Sequence, residues 1–88
     1  MPKCAVELQI GDYNHWRQSY DRGHTARANA GFSNARVFHN VDNPGEILVV
    51  GDAESADKIH AFMADPEQRE RMQSGGVHGE PKVHVIQD

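Results

Sequence analysis

Residues 35–51 read Ala-Arg-Val-Phe-His-Asn-Val-Asp-Asn-Pro-Gly-Glu-Ile-Leu-Val-Val-Gly. Two apolar stretches flank a cluster of turn-forming residues, and that is the signature of a β-hairpin. In the first stretch, Ala35–Val41, Val37 and His39 share one face while Arg36 and Phe38 share the other. Asn43-Pro44-Gly45-Glu46 puts Pro at i+1 and Gly at i+2, the pattern of a type II turn. In the second stretch, Glu46–Gly51, the core Ile47-Leu48-Val49-Val50 is apolar on both faces. A strand covered on both sides reads this way, whereas a one-sided sheet alternates.

Upstream, Cys4, Val6, Leu8 and Ile10 alternate with Ala5, Glu7 and Gln9, which predicts a first strand with one apolar face. Asp12 suits an N-cap, and a helix is expected from there to about Ala30, ended by Gly31. Downstream, a second helix is expected from near Asp52 or Ser55, with Ile59, Phe62 and Met63 inward. Asp65, Pro66 and Gln68 have the spacing of a capping box for a short third helix, stopped by Gly75-Gly76. A loop holding Gly79 and Pro81 then leads to a last strand containing Val83 and Val85.

The order β-α-β-β-α(α)-β is the split βαβ arrangement of ferredoxin-like folds. A right-handed crossover from the first strand to the second leaves a slot for the third. The expectation is therefore an α+β, ferredoxin-like βαββαβ domain over residues 1–88. Its four-stranded antiparallel sheet has the order 4-1-3-2, with the helices on one face. The two-sided apolar strand argues that the other face is covered too, and a second copy of the chain in a homodimer is the simplest cover. Small size pushes the same way, since a domain this short buries only roughly 60% of its unfolded surface.

The 88 residues are 38% hydrophobic and 25% charged, ordinary for a globular chain. The longest apolar run is Ile47–Val50, far short of the about 18 residues that a membrane helix needs. Met-Pro-Lys-Cys at the start carries no apolar signal core, so a cytoplasmic address and no membrane partner are expected. One cysteine excludes an internal disulfide framework. A formal charge of −4 gives no support for nucleic-acid binding. There is no nucleotide-binding fingerprint, so no cofactor is expected.

The first helix carries the most chemistry. Taking Trp16 as the origin at 100° per residue, Arg27 falls at about 20°, Tyr20 at about 40° and His24 at about 80°. Arg27 thus points with the two aromatics toward the sheet. A buried guanidinium needs a carboxylate, carbonyls or a ligand anion. One reading has Arg27 bind an anionic or enolate group in a pocket between helix and sheet. Trp16 and Tyr20 would wall it, and His24 at the rim would move protons. The other has Arg27 reach solvent or pair with an acid such as Glu7. The six histidines contain no local chelating pair. That leaves no metal site expected within the chain, and only an assembled one, through His39 or His84 across a dimer, stays open. Glu67, Arg69, Glu70 and Arg71 read as a solvated helix face.

Trp16, Tyr20-Asp21, Arg27 and Gly31 are followed by Asp42-Asn43-Pro44, Phe62, Asp65-Pro66-Glu67, Met72 and Gly76-Val77-His78-Gly79-Glu80-Pro81. On these residues the chain resembles the dimeric α+β barrel superfamily, near its antibiotic-biosynthesis-monooxygenase-like and cyclase-like groups. The resemblance spans nearly the whole chain. It implies a cofactor-independent enzyme of monooxygenase, cyclase or isomerase type, acting on a small carbonyl or phenolic metabolite. Its partners would be a second copy of itself and a small anionic or aromatic molecule. The alternatives are a non-catalytic dimeric binding or structural protein, and a haem or metal binder using a strand histidine. In the superfamily the helix histidine often stands one residue earlier, where this chain has Gly23.

Overall fold

The computed structural model describes all 88 residues, Met1–Asp88. Its elements in order are β1 (Lys3–Ile10), α1 (Tyr13–Arg22), α2 (His24–Asn29), β2 (Phe32–Asn40) and β3 (Asn43–Ala53), then α3 (Ala56–Ala64), α4 (Pro66–Ser74) and β4 (Val77–Ile86). All neighbouring strands are antiparallel, in the order β2-β3-β1-β4. This is the expected 4-1-3-2 sheet read from its other edge. The α+β, ferredoxin-like fold is as the order of elements predicts.

Alternation in β1 decides which face is which. Cys4, Val6, Leu8 and Ile10 are all buried, whereas Glu7 and Gln9 between them are exposed. Across the β1–β3 ladder, Val6 opposes Val49 and Leu8 opposes Ile47, so those side chains share the inner face. Trp16 of α1 and Ile59 of α3 close the core from above. The outer face carries the other register. Phe38 opposes Leu48, and they are 43% and 37% exposed. Val50 and Ala5 lie beside them, and Glu7 pairs with His84 at 2.8 Å on the same face.

Three local expectations are corrected. The first helix is two helices, α1 and α2, because Gly23 interrupts it and donates its N–H to the Tyr20 carbonyl at 3.1 Å. Glycine is among the weakest residues at holding a helix together. The hairpin turn lies at Val41-Asp42, not Asn43–Glu46, since Asn40 pairs with Asn43. There the Asn40 side chain accepts the Asp42 N–H at 2.8 Å. Pro44 and Gly45 belong to β3, and Gly45 is needed for close approach. A Cβ there would lie 2.9 Å from the Ile10 carbonyl oxygen. The supposed loop at Gly79–Pro81 is part of a longer β4, which starts at Val77 and shifts register against β1 between Glu7 and Gln9.

Helix starts follow the capping residues more closely. Asp12 accepts the Asn14 N–H at 3.0 Å, and Ser55 accepts the Lys58 N–H at 3.2 Å. Asp65 accepts the Glu67 N–H at 2.9 Å and starts α4 with Pro66 in its first turn. The reciprocal half of the capping box does not form, because Gln68 turns its side-chain oxygen to the Arg71 Nε at 3.0 Å instead.

Candidate functional site: an apolar cavity with two guanidiniums

The helices do not seat fully on the sheet. Cys4, Val6, Leu8 and Val49 form the floor of a cavity of about 80 Å³. Trp16, Ile59, Phe62 and Met72 roof it, and with Phe32 at the start of β2 all four helices and three strands converge on it. One water needs roughly 10–15 Å³ on this scale. The cavity therefore has room for a small organic group, and its walls are those of an apolar binding site.

Five residues of the wall carry polar side chains able to donate hydrogen bonds to a ligand. They are Ser19, Tyr20, Arg27, Gln68 and Arg71. The half-buried Arg27 folds back over α1. Its Nη1 donates to the Tyr20 carbonyl at 2.5 Å, and its guanidinium carbon lies 3.6 Å from the Tyr20 ring centroid. That distance is within the range of a cation–π contact. Gly23 makes this possible, because a Cβ there would stand 3.0 Å from Arg27 Nη1. Arg71 reaches the cavity from α4 and is oriented by Gln68. The Ser19 hydroxyl donates to the Arg71 carbonyl at 3.4 Å and ties the two helices together.

Neither guanidinium has a carboxylate partner. The ion pairs of the chain are Lys3–Asp52, Arg17–Asp21, Lys58–Glu54, Arg69–Glu80 and Glu7–His84. Burial pulls the Arg27 pKa below its ordinary value, against the opposing influence of Tyr20 and Asp21. Burial also pushes the Tyr20 hydroxyl up, although Arg27 and Arg17 pull the other way. The Cys4 thiol on the floor is pushed up by burial alone.

Of the expected site residues, the structure brings Trp16, Tyr20 and Arg27 together. Trp16 is 4% exposed, with its ring centroid 5.0 Å from that of Tyr20. His24 stands apart: it is exposed and absent from the cavity wall. Its expected angle is measured along one helix, and the break at Gly23 gives α2 a phase of its own. An Arg27–Glu7 pair does not occur, because Glu7 is on the opposite face of the sheet.

Arg71 is a site residue expected on a solvated helix face, and Gln68 one expected only as part of the capping box. Only Glu67, Arg69 and Glu70 of that group are exposed. The overlooked signal is spacing, for Gln68, Arg71, Met72 and Gly75 stand at i, i+3, i+4 and i+7, one helical face. The chain holds no group of three or more His, Cys, Asp or Glu side chains placed to bind a metal ion. The His39 ring lies against Tyr13, with centroids 5.9 Å apart. No helix is long and apolar enough to cross a membrane.

No protein-family model and no curated protein sequence matches the chain. Solved structures do match it in fold. One is described as a candidate antibiotic biosynthesis monooxygenase from Bordetella bronchiseptica. It has a TM-score of 0.77 and 14% identity, over 99% of this chain and 95% of that one. Another is SnoaB, a cofactor-independent oxygenase from Streptomyces nogalater. Here the TM-score is 0.71 and the identity 11%, over 99% of this chain and 93% of that one. A third, of the same description as the first, comes from Deinococcus radiodurans. It has a TM-score of 0.65 and 17% identity, over 100% of this chain and 92% of that one. The likeness is one of fold: this chain has the ferredoxin-like architecture of antibiotic-biosynthesis-monooxygenase-like proteins.

Proposed function

We propose that the protein is a small cofactor-independent enzyme, of monooxygenase, cyclase or isomerase type, acting on a carbonyl or phenolic metabolite bound in the cavity under α1. The observation that carries this reading is the pair of arginines, Arg27 and Arg71, in the wall of an apolar cavity with no carboxylate to neutralise them. Half-buried positive charge without a counter-ion raises the energy of the empty protein and is relieved by an anion. In this proposal the ligand's apolar body lies against Trp16 and Phe62, and its negative oxygen lies between the two arginines. There they would stabilise charge as it develops on an enolate or phenolate. Tyr20 holds Arg27 in place, and Gln68 does the same for Arg71. His24 has no part in it, being outside the cavity.

The fold shared with a cofactor-independent oxygenase supports the reaction class. The exposed apolar patch on the outer face, with Phe38 against Leu48, supports a homodimer joined through its sheets. A second reading, a non-catalytic ligand-binding dimer, is favoured by the absence of any carboxylate or imidazole from the cavity wall. One experiment tests both. Protein purified under native conditions is searched for bound small molecules by mass spectrometry, and the compound found is incubated with protein in air. A small aromatic or enolic acid that is converted without flavin, haem or metal is the expected result. Recovery of that acid unchanged establishes the binding protein instead. Retention of only neutral, extended lipids contradicts the cavity reading.

A further inference from the structure

The composition of the cavity wall limits what can happen to a proton there. None of its sixteen residues is a carboxylate or an imidazole. All thirteen acidic residues and all six histidines of the chain lie elsewhere. Apart from the two guanidiniums, the groups that can ionise are the Cys4 thiol and the Tyr20 hydroxyl. Burial raises both, so neither stands as an anion at neutral pH. A general base has to be within reach of the proton and deprotonated at the working pH. The wall offers positive charge in two places and a base in none.

Size adds a second limit. About 80 Å³ corresponds to roughly five to eight water-sized volumes. The cavity is open to solvent on part of its wall, so one six-membered ring can seat in it with its edge at the mouth, whereas most of a fused polycycle would be left outside.

We propose that the cavity selects a single-ring enol or phenol acidic enough to ionise in water, and takes it up as the preformed anion, between Arg27 and Arg71. The proton stays in bulk water, and the protein acts as a clamp of positive charge. This rests on the reading of the cavity as an anion site and goes further, since it fixes the ionisation state and ring number of the ligand. Two guanidiniums that favour the anion over its conjugate acid must lower the ligand's apparent pKa, by one unit for each tenfold preference.

Three single-ring probes test it. 4-Nitrophenol reports its own ionisation through the phenolate absorption band. Benzoate is a permanent anion at neutral pH, and 4-methylphenol is a neutral one-ring match. The proposal expects the apparent pKa of 4-nitrophenol to fall by at least one unit in excess protein. It expects benzoate to bind at least tenfold more tightly than 4-methylphenol at pH 7. Arg27→Met with Arg71→Met should remove the shift, while Arg71→Lys should keep its direction. An unshifted or raised pKa, or 4-methylphenol binding as well as benzoate, overturns the proposal and leaves the cavity standing as a general ring-binding site. Failure of all three probes to bind overturns the cavity reading as well. The titration of the parent protein decides the outcome even where a variant fails to fold.

Discussion

Replacing Arg27 with Met separates an arginine kept for structure from one kept for a ligand. The stem is retained and the charge removed. What is lost is the hydrogen bond to the Tyr20 carbonyl and the contact with the Tyr20 ring. What is recovered is the cost of holding a half-buried guanidinium out of water. A hydrogen bond from a charged donor and a cation–π contact sum to about 2–4 kcal/mol, against on the order of 2–3 kcal/mol of desolvation recovered. The net change in stability therefore centres within about 1 kcal/mol of zero. A structural arginine paired with a buried carboxylate would behave differently, because its removal costs roughly 3–5 kcal/mol. In a domain of this size 1 kcal/mol moves the melting point by roughly 4–8 °C, so the two cases differ by an amount easily measured. Urea and thermal denaturation of parent and variant, with and without benzoate, make the assay. Saturating ligand at about 100 times Kd should stabilise the parent by about 2.7 kcal/mol and leave the variant unmoved. A loss of 3 kcal/mol or more in the free variant, with no anion raising the parent's melting point, refutes the reasoning.

Asp65→Ala removes the oxygen that holds the Glu67 N–H and should cost roughly 0.5–2 kcal/mol in urea denaturation; an unchanged midpoint would deny the cap any role. Gly23→Ala should leave the stability of the free protein within about 1 kcal/mol of the parent, a gain through the unfolded chain being set against the crowding of Arg27. Its new Cβ crowds Arg27 Nη1, so benzoate affinity should fall, and unaltered affinity would mean that this arginine position is not needed. Leu48→Asp puts a carboxylate in the exposed apolar patch, and light scattering should show the chain mass in place of the twofold mass expected of the parent. A parent that is monomeric and stable would remove the proposed dimer. Stability should also fall in alkali. Cys4 is raised in the folded state above 9.0, so the folded thiol keeps its proton where the unfolded chain loses it. Its contribution is complete below that value and disappears as pH rises beyond it. Urea midpoints between pH 7 and 10 should decline, less steeply in Cys4→Ala, and an identical slope in the variant would assign the effect elsewhere.

Periodicity carried the fold. Four apolar residues at alternate positions in β1 define one buried face, and the position of β3 between β1 and β2 follows from the handedness of the crossover. What periodicity does not encode is a break in phase. A six-residue helix after Gly23 looks continuous with the one before it, so His24 is expected at a rim that it does not reach. The hairpin misleads in a similar way, because Pro44 and Gly45 have turn chemistry but serve a close approach to β1, while Asn40 makes the turn. Arg71 was hidden by composition. It sits among Glu67, Arg69 and Glu70, and charge-rich segments read as solvated unless their spacing is followed to Met72 and Gly75. Arg27 is the converse: its apolar neighbours on the helix stripe mark it as unusual, but only the three-dimensional arrangement shows Glu7 on the other side of the sheet.

The central claim is that Arg27 and Arg71 hold an anion in the cavity, and Trp16 reports on it directly. It is the only tryptophan in the chain and part of the cavity wall. A fluorescence titration with benzoate at pH 7 should give a saturable change in the parent. The change should be absent from a folded variant carrying both Arg27→Met and Arg71→Met. A parent signal that does not move, or one that saturates equally in that variant, contradicts the account.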